Sequence, residues 1–337
     1  MKIVLLDGYT VNPGDLSWDE IKKEGDFLYF DRTGKNRSDI IKNIGDSDIV
    51  ITNKTPIDKE TIDACPSLKY ITILATGYNV VDIKKAREKG IPVSNIPTYG
   101  TDSVAQYAIA LLLELCHHIG HHSNEVKNGR WEKSIDWCFW DYPLVELSGK
   151  TIGILGFGRI GKRTAEIAKA FGMNVIVAGR KDEEYTDDEG WRHVSKKELF
   201  RKSDVISLHT PETEETKKLI NAETISMMKD GVLIVNSSRG GLVDEEALAD
   251  ALNKGKVGGA ALDVVSTEPI EATNPLKRAK NCIITPHMAW GAKEARERIV
   301  ETTLSNIRAF KEGKPQNLVN QSIVCCFLSQ KTGWSRE

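Results

Sequence analysis

Residues 151–161 read TIGILGFGRIG, so that an apolar, strand-like run leads directly into a glycine-rich loop. The glycines have the G-x-G-x-x-G spacing, and a helical pattern follows the loop up to Phe171. A strand before the loop and a helix after it make this spacing specific for a dinucleotide-binding turn. In such a turn the first glycine permits the bend, the second admits a pyrophosphate and the third lets the helix approach the sheet. We therefore predict a dinucleotide-binding βα unit whose phosphate contacts are Gly156, Gly158, Arg159, Ile160 and Gly161.

The end of the next predicted strand bears on the choice of cofactor. About twenty residues after the loop, an NAD-binding unit normally carries an acid that holds the ribose 2′-hydroxyl. This chain has Gly179-Arg180 there instead. The planar guanidinium of Arg180 can pair with a 2′-phosphate. We expect NADP(H) to be favoured, with NAD(H) possible if Arg180 only stacks on the adenine.

Apolar runs alternate with helical patterns on both sides of this unit, which is typical of α/β folds with parallel sheets. We predict two doubly wound parallel-sheet domains, a flavodoxin-like substrate domain (1–99 plus 290–320) and a Rossmann cofactor domain (100–289), with a tail at 321–337. The long helical pattern at 101–129 has Asp102 and Ser103 as candidate caps, and a second long helix is expected at 292–312. Strands are predicted at 2–7, 26–30, 48–52, 70–75 and 92–96, and then at 151–155, 174–178, 204–208, 232–236, 258–262 and 282–285.

Composition excludes several classes of partner. The chain has 337 residues and a formal net charge of -2, so no global basic field attracts nucleic acid or an anionic membrane. No apolar stretch is long enough to span a bilayer. The six cysteines follow no disulfide or metal spacing, which favours free thiols in a reducing cytoplasm. A helical group of histidines (His117, His118, His121 and His122) has metal-compatible spacing, but we expect a surface or dimer-interface role and no metal.

Three polar residues follow neighbouring strands of the second sheet, where ligands of such sheets bind. Arg239 follows the strand at 232–236, Glu268 the strand at 258–262 and His287 the strand at 282–285. An arginine can hold a carboxylate through two hydrogen bonds, and a histidine can exchange a proton near neutral pH. A glutamate can orient and stabilise that imidazole. This set predicts hydride exchange between a nicotinamide and a small 2-hydroxy acid, in a cleft between the two domains.

The chain resembles the D-isomer-specific 2-hydroxyacid dehydrogenases over about residues 1 to 320. The resemblance is carried by the phosphate loop and by several further motifs. These are ATGYNVVD at 75–82, TDSVAQ at 101–106, HTP at 209–211, NSSRGGLVD at 236–244, LDV at 262–264 with Glu268-Pro269, and TPH at 285–287.

The resemblance implies a role for each matching position. It makes Arg239 the substrate anchor, Glu268 the partner and His287 the acid/base, with the substrate carboxylate held by backbone N–H groups of Thr76, Gly77 and Tyr78. It also implies a homodimer. Cofactor contacts are implied for Val104, His209, Thr210, Pro211, Ser237, Ser238, Asp263 (to the carboxamide) and His287. Gly179 and Arg180 are expected at the cofactor from their position alone.

Within this family, HMAW at 287–290 and LDGYT at 6–10 look like glycerate dehydrogenases and hydroxypyruvate reductases. Trp290 is then expected at the substrate, and hydroxypyruvate or glyoxylate is the expected keto acid. Two other functions remain open, namely a dehydrogenase for another D-2-hydroxy acid such as D-lactate, and a non-catalytic NAD(H)-sensing protein. Gln106 and Gly179-Arg180 depart from the family pattern, and the second departure puts a preference for NAD in doubt.

Overall fold

The computed structural model describes residues 1–181 and 183–320. The chain divides into two compact units, one formed by Met1–Tyr99 together with the segment that begins at Gly291, and the other by Gly100–Trp290. The tail expected at 321–337 lies outside the described residues. No helix in the described ranges is long and apolar enough to cross a membrane.

The first unit is built on a five-stranded parallel sheet of order β2-β1-β3-β4-β5. This is the flavodoxin-like order. Strands β3 and β4 are buried at every residue, as expected for parallel strands that are covered on both faces. Its first elements are β1 (Lys2–Leu5), α1 (Asp19–Lys22), β2 (Asp26–Tyr29), α2 (Arg37–Ile44), β3 (Ile49–Thr52), α3 (Lys59–Ala64), β4 (Tyr70–Ile73), α4 (Ile83–Glu88) and β5 (Val93–Ser94).

Among the described residues, the second unit contains an eight-stranded sheet of order β13-β12-β11-β10-β6-β7-β9-β8, in which only the β8–β9 pair is antiparallel. The predicted Rossmann architecture is confirmed. Its elements are α5 (Thr101–His117), α6 (Ile119–Lys127), β6 (Thr151–Leu155), α7 (Arg159–Ala170), β7 (Asn174–Ala178), β8 (Tyr185–Thr186), β9 (Arg192–His193), α8 (Lys196–Lys202), β10 (Val205–Leu208), α9 (Ala222–Met227), β11 (Val232–Asn236), α10 (Glu245–Asn253), β12 (Val257–Leu262) and β13 (Cys282–Ile284).

The remaining helix, α11 (Lys293–Lys311), belongs to the first unit. Phe310 of α11 stacks on Tyr70 of β4 with ring centroids 4.4 Å apart. Arg296 donates two hydrogen bonds of 2.7 Å to the carboxylate of Asp15. These contacts fix α11 against the sheet of the first unit.

Two local predictions were wrong. The helix expected at 101–129 is broken at His118, whose left-handed backbone (φ 48°) ends α5 and starts α6. Neither Asp102 nor Ser103 caps α5, because the N-cap is Gly100. Instead Asp102 accepts from Arg163 of α7 and Ser103 donates to the carbonyl of Ala289.

Candidate active site

The phosphate loop is shaped by close backbone contacts. Gly156 has φ 98°, and a Cβ there would lie 2.6 Å from the carbonyl of His209. A Cβ on Gly161 would lie 2.1 Å from Gly156 O, so α7 can approach the loop only with glycine at that position. A Cβ on Gly158 would meet nothing within 4 Å. The loop is therefore packed on its inner side and open at Gly158.

The open side of the loop fits a dinucleotide phosphate. Helix α7 begins at Arg159, and no side chain caps its N-terminus at Gly158. Uncapped N–H groups and the positive end of a helix dipole favour an anion. The loop from Gly156 to Gly161 thus offers backbone N–H groups as the donors for a phosphate.

The position that follows β7 holds the predicted specificity residue. Gly179 and Arg180 come directly after the last residue of β7, which is the strand beside β6. Arg180 is exposed. Asp182, which could have moderated a cationic site, lies outside the described residues.

A short hairpin next to this position was not predicted. In it, β9 pairs with β7 and β8 pairs with β9. Phe157 of the phosphate loop packs edge-on against Trp191 and His193, each with ring centroids 5.5 Å away. Lys162 of α7 forms an ion pair with Glu189 of the same hairpin. The hairpin therefore supports the phosphate loop and occupies the third position of the Rossmann order.

His287 and Glu268 form a contact pair. His287 Nδ1 lies 2.6 Å from Glu268 Oε2, and both side chains are about one-third exposed. The other carboxylate oxygen of Glu268 accepts from the Val265 N–H at 3.3 Å. With Nδ1 engaged by a carboxylate, Nε2 is the nitrogen of His287 that can exchange a proton with a ligand.

Asp263 organises the turn that carries His287. Its side chain is 1% exposed. Its carboxylate accepts from Thr285 Oγ1 at 2.6 Å and from the N–H groups of Met288 and Ala289 at 2.9 and 2.8 Å. Its carbonyl accepts from the N–H of His287, whose backbone is left-handed at φ 52°. Both carboxylate oxygens of Asp263 therefore hold the turn at residues 285–289, and its contact with the nicotinamide carboxamide, which the family resemblance implies, stays a prediction.

Arg239 lies at the same sheet edge, after β11, whose neighbour β12 precedes Glu268. Its side chain is exposed, and one guanidinium nitrogen donates to the carbonyl of Ser238 at 2.6 Å. Asn236 holds the bend, because Nδ2 donates to Arg239 O and Oδ1 accepts from the Ser238 N–H. A Cβ on Gly240 would lie 1.9 Å from the backbone of Val265, so this bend packs tightly against the loop after β12.

The other predicted cofactor residues lie in the bends after β10 and β11, except Val104, which lies on α5. Ser238 Oγ donates to the carbonyl of Thr210 at 2.7 Å and ties the two bends together. Ser237 Oγ is buried and has no hydrogen-bond partner within residues 1–181 and 183–320. His209 lies 2.8 Å from Ser207 Oγ through Nε2, and burial lowers the pKa of this histidine to about 4. Pro211 is exposed beside them, and Val104 is buried in the first turn of α5.

Trp290 ends the second unit. Its indole Nε1 donates to the carbonyl of His287 at 2.9 Å, which folds the ring back on the turn. The ring is half-buried. The contact ties the predicted substrate residue to the backbone that carries the predicted acid.

The predicted carboxylate site lies in the first unit, in the turn after β4. Thr76, Gly77 and Tyr78 are exposed there. In the described part of the chain their N–H groups donate to no protein acceptor. Three successive free N–H groups are the arrangement that binds anions through backbone atoms.

The histidine cluster is occupied by protein contacts. His121, His122 and Asp141 bring their ligand atoms within 4.8 Å of one another. The Asp141 carboxylate also accepts from both terminal nitrogens of Arg130. His122 is engaged at both nitrogens, through His118 O and the Asp141 N–H. Through these bonds the cluster holds the segment around Asp141 against α6 and Arg130.

Known proteins match this arrangement. The family model for the NAD binding domain of D-isomer specific 2-hydroxyacid dehydrogenases matches residues 109–289. A hydroxypyruvate reductase of Blautia hydrogenotrophica is 54% identical over 322 residues, which cover 95% of this chain and 100% of that protein. A glycerate dehydrogenase of Methylorubrum extorquens is 39% identical over 83% of this chain and 88% of that protein. The structure of an acyclic imino acid reductase in complex with NADPH and D-Arg has a TM-score of 0.80 at 33% identity, covering 95% of this chain and 100% of that one. The expected resemblance is thus confirmed, and the chain belongs to the D-isomer specific 2-hydroxyacid dehydrogenase family.

Proposed function

We propose that the protein reduces a small 2-keto acid, hydroxypyruvate or glyoxylate, to the D-2-hydroxy acid. The observation that carries this proposal is the His287–Glu268 pair at a sheet edge that also presents Arg239. The 54% identity to a hydroxypyruvate reductase over nearly the whole chain supports hydroxypyruvate as the first substrate to test.

Each residue has one role in this reaction. Arg239 and the N–H groups of Thr76, Gly77 and Tyr78 are the proposed carboxylate-binding groups. His287 donates a proton from Nε2 to the ketone oxygen, and Glu268 stabilises the imidazolium that does so. Bound NAD(P)H supplies the hydride to the ketone carbon. In the reverse direction His287 accepts the hydroxyl proton at the same nitrogen. Trp290 borders the substrate.

The cofactor is held by the second unit, and NADP(H) is favoured over NAD(H). Gly158 leaves room for the pyrophosphate, Gly156 and Gly161 permit the tight loop around it, and the uncapped N-terminus of α7 offers N–H donors. Arg180 follows Gly179 at the position where an acid would select NAD, and its guanidinium suits a 2′-phosphate. A related structure contains NADPH, which agrees with this choice. The bends at His209–Pro211 and Ser237–Ser238 line the rest of the site, with Val104 at the nicotinamide.

Residues 1–99 plus 290–320 form the substrate domain, and residues 100–289 form the cofactor domain.

The protein is a cytoplasmic homodimer. Its described cysteines, Cys65, Cys116, Cys138 and Cys282, are free thiols, which suits a reducing compartment. Ile135 and Trp137 are 102% and 85% exposed, and an exposed apolar segment of this kind fits a subunit interface.

Spectrophotometry of reduced nicotinamide tests this function. Purified protein is supplied with hydroxypyruvate, glyoxylate or pyruvate, each with NADPH and with NADH. We expect the highest kcat/KM with hydroxypyruvate or glyoxylate and NADPH. A preference for pyruvate would move the substrate assignment to D-lactate. Absence of turnover with all three acids would refute the enzyme and favour an NAD(H)-sensing protein.

A further inference from the structure

The carbonyl group of Thr76 is held by a buried side chain. Asn95, which follows β5, donates from Nδ2 to Thr76 O at 2.7 Å and is 8% exposed. Thr76 Oγ1 in turn donates to the carbonyl of Ile96 at 2.7 Å. The turn after β4 is thus fixed at two points by the residues that follow β5.

This contact sets the direction of the next N–H group. Because a trans peptide is planar, its C=O and N–H point in opposite directions. Asn95 draws the Thr76 carbonyl toward the interior of the first unit, so the N–H of Gly77 points away from it. Neither Gly77 nor Tyr78 donates that hydrogen to any acceptor in the described residues. The Asn95 amide therefore orients the peptide that carries the Gly77 N–H, and the Tyr78 N–H follows in the same turn.

Asn95 is itself held in a closed set of hydrogen bonds, which we call the asparagine ring (Asn95, Asn306 and Asn317). The Asn95 N–H donates to Asn317 O at 3.1 Å. Asn317 Nδ2 donates to Asn306 Oδ1 at 2.8 Å, and Asn306 Nδ2 donates to Asn95 O at 3.1 Å. Asn306 lies on α11 and is 0% exposed. The ring uses only the backbone N–H and carbonyl of Asn95, and its side-chain amide donates to Thr76.

A satisfied buried amide network adds little net folding free energy, but it specifies one geometry. Position 306 lies between Thr303 and Ile307, which are both buried on the same helix, so an apolar side chain would suit the helix alone. What the ring adds is a defined position for the Asn95 backbone, and hence for the amide that reaches Thr76. A carboxylate-binding turn benefits from this, because preorganised donors lose less entropy on binding.

We propose that Asn95, held by the asparagine ring, is a positioning residue that aims the Gly77 and Tyr78 N–H groups at the substrate carboxylate. This inference rests on the proposed function, in which Thr76, Gly77 and Tyr78 bind that carboxylate. Asn95 acts through the Thr76 peptide and does not touch the substrate.

Steady-state kinetics of Asn95→Ala tests the proposal, with Asn320→Ala as a matched control. Asn320 is 6% exposed and bonds the N–H of Val93 and the carbonyl of Ile91, at the opposite end of β5. We expect Asn95→Ala to raise KM for hydroxypyruvate about tenfold and to change kcat less than about twofold, since the carboxylate contacts are equal in ground and transition states. KM for NADPH should stay constant in both variants. A KM for hydroxypyruvate in Asn95→Ala equal to that of Asn320→Ala overturns the proposal.

A binding measurement separates this inference from the proposed function. If the unmodified protein turns over none of the keto acids, the function fails, and the amide signals of Gly77 and Tyr78 are then followed by NMR during titration with oxalate. We expect both signals to shift in the unmodified protein and to require about tenfold more oxalate in Asn95→Ala. Signals that ignore oxalate, or that respond equally in the two proteins, overturn the inference. If Asn95→Ala does not fold, Asn306→Ala replaces it. We then expect the dissociation constant for oxalate to rise about threefold. An unchanged dissociation constant would refute the inference.

Discussion

Glu268 contacts Nδ1 of His287 at 2.6 Å and so leaves Nε2 as the ring nitrogen that can exchange a proton with a ligand. The backbone that carries this ring is fixed as well. His287 is left-handed, and Asp263 accepts from the N–H groups of Met288 and Ala289. His287 is thus oriented by the Glu268 carboxylate at its side chain and by Asp263, whose carbonyl accepts from the His287 N–H and whose carboxylate holds the two residues that follow.

The first prediction concerns Glu268→Gln. Glutamine keeps a hydrogen bond to Nδ1 but removes the negative charge that stabilises the imidazolium during proton transfer. We expect kcat for hydroxypyruvate to fall about 100-fold, within the range that a general acid contributes. The KM for NADPH should change little. Initial rates of NADPH oxidation provide the measurement.

Glu271→Gln is the matched control for this prediction, because Glu271 is exposed in the same loop. Its kcat should equal that of the unmodified protein. Equal rates for the two glutamine variants would show that Glu268 has no electrostatic role.

The second prediction concerns Asp263→Asn. The buried carboxylate accepts three hydrogen bonds, and an amide in its place offers N–H donors to groups that are themselves donors. We expect the free energy of unfolding to fall by about 2 to 4 kcal/mol and turnover to fall with it, because the turn that carries His287 loses its support. Urea denaturation measures the first effect.

Asp230→Asn is the control for Asp263→Asn. Asp230 is 90% exposed and pairs with Lys256 at the surface, where an ion pair contributes at most about 1 kcal/mol. A loss at Asp263 as small as the loss at Asp230 would contradict the role of Asp263 as the support of the turn.

Features whose signal is local could be predicted from the sequence. The phosphate loop was found because its glycines, the strand before it and the helix after it lie within about twenty residues. Gly156 and Gly161 each meet a close backbone contact in the structure, and Gly158 leaves the loop open. Arg239, Glu268 and His287 were found because parallel strands end at one edge. Their placement follows from the strand order alone.

Features that depend on distant pairs could not be predicted. Asn306 and Asn95 are 211 residues apart, and no periodicity connects them. The support that Asp263 gives to Met288 and Ala289 has the same character. Strand β9 has two residues, which is too short for an alternating pattern, and so the third Rossmann position was missed. The break at His118 was also missed, because the apolar helical pattern continues through it and only the backbone turns left-handed.

The third prediction concerns Arg180→Ala. If the guanidinium binds a 2′-phosphate, its loss lowers kcat/KM for NADPH about tenfold or more, which is the scale of a charge-assisted pair. The value for NADH should change less than about threefold. Lys181→Ala, at the next exposed position, controls for a general loss of positive charge. Equal losses with both cofactors would mean that Arg180 contacts the adenine or ribose common to them.

The fourth prediction concerns the stability of the folded protein against pH. Burial lowers the pKa of His209 from 6.5 to about 4, so the folded protein holds this imidazole neutral where the unfolded chain protonates it. Between these two values the unfolded state binds the extra proton, and stability therefore decreases as the pH falls from 6.5 toward 4. His209→Gln removes this proton uptake and should flatten that part of the pH dependence, by up to about 3 kcal/mol across the window.

Urea midpoints at several pH values from 7.5 to about 4.5 measure this effect. The difference between the unmodified protein and His209→Gln should narrow as the pH falls, because only the unmodified protein loses the contribution of a neutral His209. Gln106→Ala, which removes no titratable group at an exposed position on α5, should run parallel to the unmodified protein over the same range. Parallel curves for His209→Gln as well would mean that His209 becomes protonated in the folded state together with the unfolded chain, and that its burial does not keep it neutral.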